Sequence, residues 1–241
     1  MINSMDYHTK KSHVKNENEL LGVPIIHLVY ESFIWACIYI KSIVVVFIQM
    51  NYNYTQNWYY QSELYRILPN ILKTNNKYRI LEIGSFEGLS ACGFSDNFID
   101  HSDSTLDCVD PFIVSGTVPS NTCRCIDTNT KNIFLENIKK SKNYSKITSH
   151  FMTSDDFFKT NTKLFDFIYI DGCHEPEFIE NDINNSIKFL NDGGIIWMDD
   201  YGGNTSNDGK IKLHIDKFLK PHIDKFDIIH KNYQLSIKKI N

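Results

Sequence analysis

The chain has 241 residues, enough for one large α/β domain with an appendage. Its 25 Lys and Arg against 29 Asp and Glu leave a net charge of −4, which argues against a broad nucleic-acid-binding surface, and no nucleic-acid partner is expected. Six cysteines are scattered and only Cys123 and Cys125 stand close together; a structural zinc site would need a second such pair, so reduced thiols of a cytosol-like compartment are expected.

Residues 1–19 are polar, mixed in charge and aperiodic, the composition of a disordered tail. Residues 20–50 form a hydrophobic segment. Between Phe33 and Ile48 it carries ten Ile, Val and Phe side chains. Each contributes about −0.3 to −0.6 kcal/mol to membrane insertion, roughly −4.5 in sum, against about +2.5 to +3.5 for Lys41. The balance barely favours the bilayer. Three readings stay open: a membrane anchor over residues 29–49 with the following domain in the cytoplasm, an accessory helix or strand packed on that domain, or a dispensable upstream extension. The last is motivated by Met50, because the pattern of the domain, residues 51–241, begins just after it. The apolar run starts too late, and lacks the small-residue cleavage site, for an ordinary signal peptide. A cytoplasmic location is expected, with attachment to a membrane through residues 20–50 as the alternative.

From Gln56 to Leu72 aromatic and aliphatic residues recur at roughly helical spacing, and Pro69 is expected to kink or split the helix. Arg79 to Ile83 then reads as a short buried parallel strand, Gly84 and Gly88 bracket a tight turn, and Leu89 to Phe94 opens a helix. A strand, a glycine turn and a helix N-terminus make a ligand crevice at the carboxyl edge of a parallel sheet. Glycine there lets the backbone close on a ligand where a Cβ would intrude. A dinucleotide site wants G-x-G-x-x-G, and here Phe86 lies between the two glycines instead of a third. Glu82, ahead of the first glycine, repels a phosphate and attracts an ammonium group.

The run Glu82-Ile83-Gly84-Ser85-Phe86-Glu87-Gly88 resembles motif I of the class I S-adenosylmethionine (SAM)-dependent methyltransferases. The form is that of the branch called methyltransferase type 24, related to catechol and macrolide-sugar O-methyltransferases. This resemblance implies a doubly wound sheet of seven mostly parallel strands with a terminal antiparallel hairpin. It also implies that Gly84, Ser85, Phe86 and Gly88 cradle the methionine part of SAM, with Glu82 bonding nearby. The bland alternative is a strand, turn and helix without a ligand.

Thr105 to Phe112 is the second strand. Asp110 at its carboxyl end can accept both hydroxyls of a ribose; a turn-forming Asp-Pro is the plain reading, and Asp107 the other candidate acid. Residues 115–130 are a polar loop, expected to shape the mouth for a substrate. Ile133 to Ile138 reads as a helix, similar to the family's F-x-x-N-I segment. Lys146 to Met152 is a third strand, after which the resemblance implies that Ser154 and Asp155 touch the adenine. An acid at a helix N-terminus explains Asp155 equally well.

Phe165 to Ile170 forms a fourth strand leaving through Asp171-Gly172-Cys173-His174. A helix over Asp182–Leu190 follows, stopped by Asn191 to Gly194, and Ile195 to Tyr201 is a fifth strand carrying Asp199 and Asp200. Two apolar parallel strands ending in aspartate put Asp171, Asp199 and Asp200 on the same edge as Gly84 and Asp110. Three neighbouring carboxylates need a cation or protons to neutralise them, and an all-oxygen set suits Mg²⁺. The D-G-x-H and D-D pairing resembles the metal-dependent O-methyltransferases. Catechol-type enzymes carry Asp-Asn where this chain has Asp199-Asp200, so their substrate chemistry does not transfer. The plain reading is that some of these acids only cap loops.

His174, with Asp171 beside it, is the candidate catalytic base for removing a hydroxyl proton, against the plain reading of an exposed loop histidine. A helix over Lys212–Leu219, closed by Pro221, and a hairpin of Phe226–His230 and Tyr233–Lys238 complete the chain. The expected protein is a methyltransferase using SAM, with Mg²⁺ assisting, on a hydroxyl of a small molecule or sugar. A non-catalytic SAM-binding or membrane-associated scaffold is the alternative, as is a nicotinamide-dependent oxidoreductase, which the missing middle glycine disfavours.

Overall fold

Short runs rich in Ile, Leu, Phe and Val build a seven-stranded sheet in the computed structural model, which describes residues 52–112, 129–202 and 210–240. The strands are β1 (Arg79–Ile83), β2 (Thr105–Val109), β3 (Ile147–His150), β4 (Phe165–Ile170), β5 (Leu190–Met198), β6 (Phe226–Lys231) and β7 (Leu235–Lys239). They lie in the order β3-β2-β1-β4-β5-β7-β6. The first five are parallel, whereas β7 runs antiparallel to both β5 and β6. The helices are α1 (Trp58–Gln61), α2 (Glu63–Ile71), α3 (Leu89–Asn97), α4 (Thr130–Lys140), α5 (Ser154–Thr160), α6 (Pro176–Lys188) and α7 (Lys210–Leu219). Residues 52–241 cluster as one compact unit. The polar tail, the hydrophobic segment of residues 20–50 and nearly all of the 115–130 loop lie outside the described residues. Among the described residues no helix is long and apolar enough to cross a membrane.

Successive strand residues point to opposite faces, and both faces are covered. Leu81, Ile83, Ile168, Ile170, Ile196 and Met198 pack with Ile179 and Ile183 of α6 and Ile211, Ile215 and Leu219 of α7. Ile80, Leu106, Phe167, Tyr169, Ile195 and Trp197 pack with Tyr59, Leu64 and Leu68, Phe94 of α3 and Phe134 of α4. Each such side chain contributes about 1.5–3 kcal/mol on burial, so the two cores hold the sheet rigidly between two helical layers. The chain steps outward from β1 to β2 and β3, then returns to place β4 on the other side of β1. That reversal opens a crevice at the carboxyl ends of β1 and β4.

Four local expectations need correction. The helical segment after Gln56 breaks at Ser62, which is extended (φ −71°, ψ 159°), and Pro69 sits inside α2 without splitting it. The Ser62 hydroxyl accepts from the Tyr65 N–H at 3.1 Å and donates to the Tyr59 carbonyl at 2.6 Å, so an N-cap starts a new helix there. Helix α6 begins at Pro176, six residues before Asp182, because proline is pre-set for the first helical turn. Strand β5 begins at Leu190: residues 191–194 form a bulge between the pairs Phe165–Leu190 and Phe167–Ile195 instead of a helix stop. Finally, Cys92 and Cys108 are free and buried but Cys173 is disulfide-bonded, against the expectation of reduced thiols throughout.

Candidate active site

The glycine turn between β1 and α3 lies against the exit of β4. Gly84 has φ +86°, and a Cβ on it would stand 2.1 Å from the carbonyl oxygen of Asp171. Glycine is required there because two backbone segments meet, and less for the ligand approach expected from the motif. Main-chain bonds tie the same point: Gly84 N–H donates to Val109 O and Asp171 N–H to Ile83 O, both at 2.9 Å. Within the turn, Gly84 and Phe86 are partly open while Ser85, Glu87 and Gly88 are buried. Phe86 adopts a left-handed φ of 47° and stacks against Trp58 with ring centroids 5.8 Å apart.

Glu82 is fully buried on the α3 face of β1 and accepts from the Ser90 hydroxyl, with the Ser85 hydroxyl and the Cys108 thiol also against it. Burial raises its pKa to about 7, against the opposing hydrogen bond from Ser90. Glu82 thus lies beneath the turn rather than on its open surface.

Asp110 follows β2, and its carboxylate faces the turn. Oδ2 accepts from the Ser85 and Phe86 N–H groups at 3.0 Å each, and Oδ1 from the Phe112 N–H at 2.7 Å. Burial raises its pKa, opposed by these three backbone donors. Oδ1 accepts one bond where a carboxylate oxygen can accept two. Asp107, the other candidate, is engaged elsewhere: it faces His150 at 2.8 Å and Lys163 at 2.9 Å. Beyond β3, Thr153 caps α5 by accepting from the Asp156 N–H, which leaves Ser154 and Asp155 in the first turn. Asp155 accepts from Asn181 at 3.3 Å, and Ser154 bonds the buried Asp182.

On the other side of Gly84 three carboxylates converge. The Tyr169 hydroxyl lies 2.9 Å from Asp171 Oδ2 and 3.2 Å from Asp199 Oδ2. A phenol donates one proton, so a proton on one of the carboxyls completes the second bond. Burial first, and then the neighbouring Asp199, hold the Asp171 pKa well above the usual carboxylate range, although 34% of its side chain is open. Burial and Asp200 raise that of Asp199. His174 Nε2 stands 3.2 Å from Asp200 Oδ2 and 3.9 Å from Asp171 Oδ1. Asp171, His174 and Asp200 each offer one ligand atom within 4.8 Å of the others, a donor set that fits a divalent cation. Asp199 is outside that group. Its Oδ1 is taken by Gln234 Nε2 at 2.6 Å and by the Asp200 N–H at 2.9 Å, so the histidine stands where the sequence put the third aspartate.

Residues 81–201 match the family model described as a methyltransferase domain. The chain belongs to this methyltransferase family. It is 31% identical over 142 residues to an uncharacterised protein of Acanthamoeba polyphaga mimivirus, an alignment that covers 57% of this chain and 58% of that protein. That is less than two thirds of the relative's length. Among solved structures, the O-methyltransferase from Bacillus cereus in complex with SAH superposes with a TM-score of 0.55 at 15% identity, over 83% of this chain and 90% of that one. An O-methyltransferase from Streptomyces achromogenes involved in tomaymycin synthesis, in complex with SAM, gives 0.51 at 14% identity, over 75% and 79%. Likeness at these identities is likeness of fold.

Within the methyltransferase domain, three contributors escaped the sequence reading. Tyr169 had a signal: it precedes Asp171 by two residues and so shares its face of β4. Tyr233, whose hydroxyl donates to Asp200, and Gln234 had none. They reach the rim only because Gly202 lets the chain after β5 run against the hairpin, where a Cβ would stand 2.6 Å from the Asn232 carbonyl oxygen.

Proposed function

We propose that the chain is a SAM-dependent O-methyltransferase acting on a hydroxyl of a small molecule or sugar, in the cytoplasm, with a divalent cation such as Mg²⁺ assisting. The observation that carries this reading is the Gly84–Asp171 approach, which joins the glycine turn to the acidic group on one rim. The residues suit both groups: the turn is partly open at Gly84 and Phe86 beside the Asp110 carboxylate, and Asp171, His174 and Asp200 form a cation-sized donor set. Bound SAM would supply an electrophilic methyl carbon on a sulfonium, and the cation a Lewis acid that acidifies the acceptor hydroxyl.

The remaining work belongs to the chain. Gly84, Ser85, Phe86 and Gly88 shape the turn around the methionine end, and Glu82 beneath them favours the ammonium group. Asp110 holds the turn and offers Oδ1 to the ribose, while Ser154 and Asp155 border the adenine side. Asp171 and Asp200 orient the acceptor hydroxyl. His174 would take the acceptor's hydroxyl proton only when it is not itself a cation ligand, because one ring nitrogen has a single lone pair. The turn and the rim orient the two reactants toward each other.

Calorimetry with SAM and SAH is the first test, followed by transfer of a labelled methyl group to a panel of phenols, alcohols and sugars with and without Mg²⁺. Absence of SAM binding sinks the proposal. Binding without transfer to any acceptor favours the scaffold reading.

A further inference from the structure

Gln234 is 1% exposed and precedes β7, far in sequence from every residue of the rim. Its amide has one possible orientation. The oxygen accepts from the Leu64 backbone N–H at 2.7 Å and from the Trp197 indole N–H at 3.0 Å. Both groups can only donate, so the NH₂ faces Asp199, to which it donates at 2.6 Å. Its own backbone is held as well. The Gln234 N–H donates to Glu63 Oε2 at 2.9 Å, and Glu63 also faces His230 Nε2 at 2.7 Å. The His230 ring stacks on Trp197 with centroids 5.3 Å apart. Helix α2, strand β5 and the terminal hairpin therefore clamp one amide behind the acidic rim.

Both oxygens of Asp199, in turn, are bonded within the protein. Oδ1 takes Gln234 and the Asp200 N–H, and Oδ2 shares the Tyr169 hydroxyl with Asp171. We propose that Gln234 is a positioning residue, which holds Asp199 in the orientation where Asp199 and Tyr169 together aim the Asp171 carboxylate at the site's open face. This rests on the reading of the rim as a methyl-transfer site. Asp199 then orients Asp171 and does not itself bind the cation.

A reciprocal exchange tests it. Gln234→Glu keeps the oxygen that Leu64 and Trp197 require but sets an acceptor against Asp199, and Asp199→Asn sets one amide NH₂ against another. Combining the two exchanges donor and acceptor and re-forms the bond. Mn²⁺ binding to the SAH complex, read by electron paramagnetic resonance, should weaken about tenfold in each single variant and return to within about threefold of wild type in the pair. SAH affinity, followed by calorimetry, should stay within about twofold in all three, since the side chains of Gln234 and Asp199 bond no residue of the glycine turn.

Wild-type Mn²⁺ binding in Gln234→Glu overturns the inference. So does a pair no better than the single variants, which would mean that the charge of Asp199 matters and its orientation does not. A wild-type protein that takes no Mn²⁺ refutes the cation reading, and crystal structures of the SAH complexes then decide. An Asp171 carboxylate turned away from Tyr169 in Gln234→Glu upholds the inference, and an unmoved one overturns it. If Gln234→Glu does not fold, Tyr169→Phe replaces it, keeping the ring in the core and removing only the hydroxyl. Unweakened Mn²⁺ binding there overturns the inference equally.

Discussion

The two halves of the rim place carboxylates at equivalent points, the carboxyl ends of parallel strands, and treat them in opposite ways. On the glycine-turn half, Asp110 is buried and accepts three backbone N–H bonds. On the acidic half, burial and neighbouring carboxylates raise the proton affinities of Asp171 and Asp199, and a single tyrosine hydroxyl serves both. A carboxylate satisfied by the backbone shapes the fold; carboxylates that oppose one another are kept for something that arrives from outside. The first half is built for rigidity and the second stores electrostatic cost.

The largest effect comes from breaking the seam between them. Gly84→Ala drives a Cβ into the Asp171 backbone at a residue with φ +86°, so both halves must move. A loss of about 4–5 kcal/mol in urea unfolding is expected, with SAM binding abolished; a stable variant that still binds SAM would mean that the halves move independently. Next in size is Asp182, which lies under Gly172 behind the acidic half, with Oδ1 buried and unpartnered. Burial raises its pKa from 3.8 to about 7, so the folded chain keeps a proton that the unfolded chain releases. Stability from this group is full below pH 4 and is lost as pH rises through 7, by roughly 4 kcal/mol in all. Subtracting wild type from Asp182→Asn isolates the term, because Glu82 titrates in both. The variant should gain on wild type from about pH 4 to about pH 7 and level off above it, and a pH-independent difference would remove Asp182 from the ledger.

Asp110→Ala probes the satisfied half. It leaves the Ser85 and Phe86 N–H groups without their acceptor, at a cost of about 2–3 kcal/mol. Because the turn itself loosens, SAM affinity should fall at least about tenfold. Unchanged affinity, measured by calorimetry, would mean that neither the ribose contact nor the shape of the turn depends on this carboxylate.

These unequal halves also explain what could be read in advance. Gly84, Gly88 and the strand-end aspartates were legible because each lies within a few residues of the strand that carries it. The doubly wound sheet was implied by the family resemblance of the run from Glu82 to Gly88, and its strands were legible as short apolar runs. The break at Ser62 was missed because proline was weighed as the stronger interruption, while a hydroxyl that caps a new helix acts through two local hydrogen bonds. The use of Asp110 as a backbone clamp and the exchange of Asp199 for His174 in the cation-sized group depend on side-chain rotation, which spacing does not encode. Gln234 lies 35 residues from Asp199 in the chain and 170 from Leu64, and only the closed hairpin brings the three together.

The smallest effect has the most informative sign. Asp171→Asn removes one charge from the opposed group while keeping the size of the side chain. Since burial and Asp199 hold the Asp171 pKa above the normal range, the wild type loses stability from this group as pH rises, and the amide does not. A third of the side chain is open, so solvent screening cuts the gain to about 1 kcal/mol at pH 8, and it should vanish near pH 4. Thermal melts at the two pH values measure it. Mn²⁺ binding and methyl transfer should fall in the same variant, the exchange of stability for activity expected where charges are crowded for use. A variant less stable than wild type at pH 8 would mean that Asp171 is satisfied within the protein as Asp110 is, and that the acidic half holds its carboxylates for the fold.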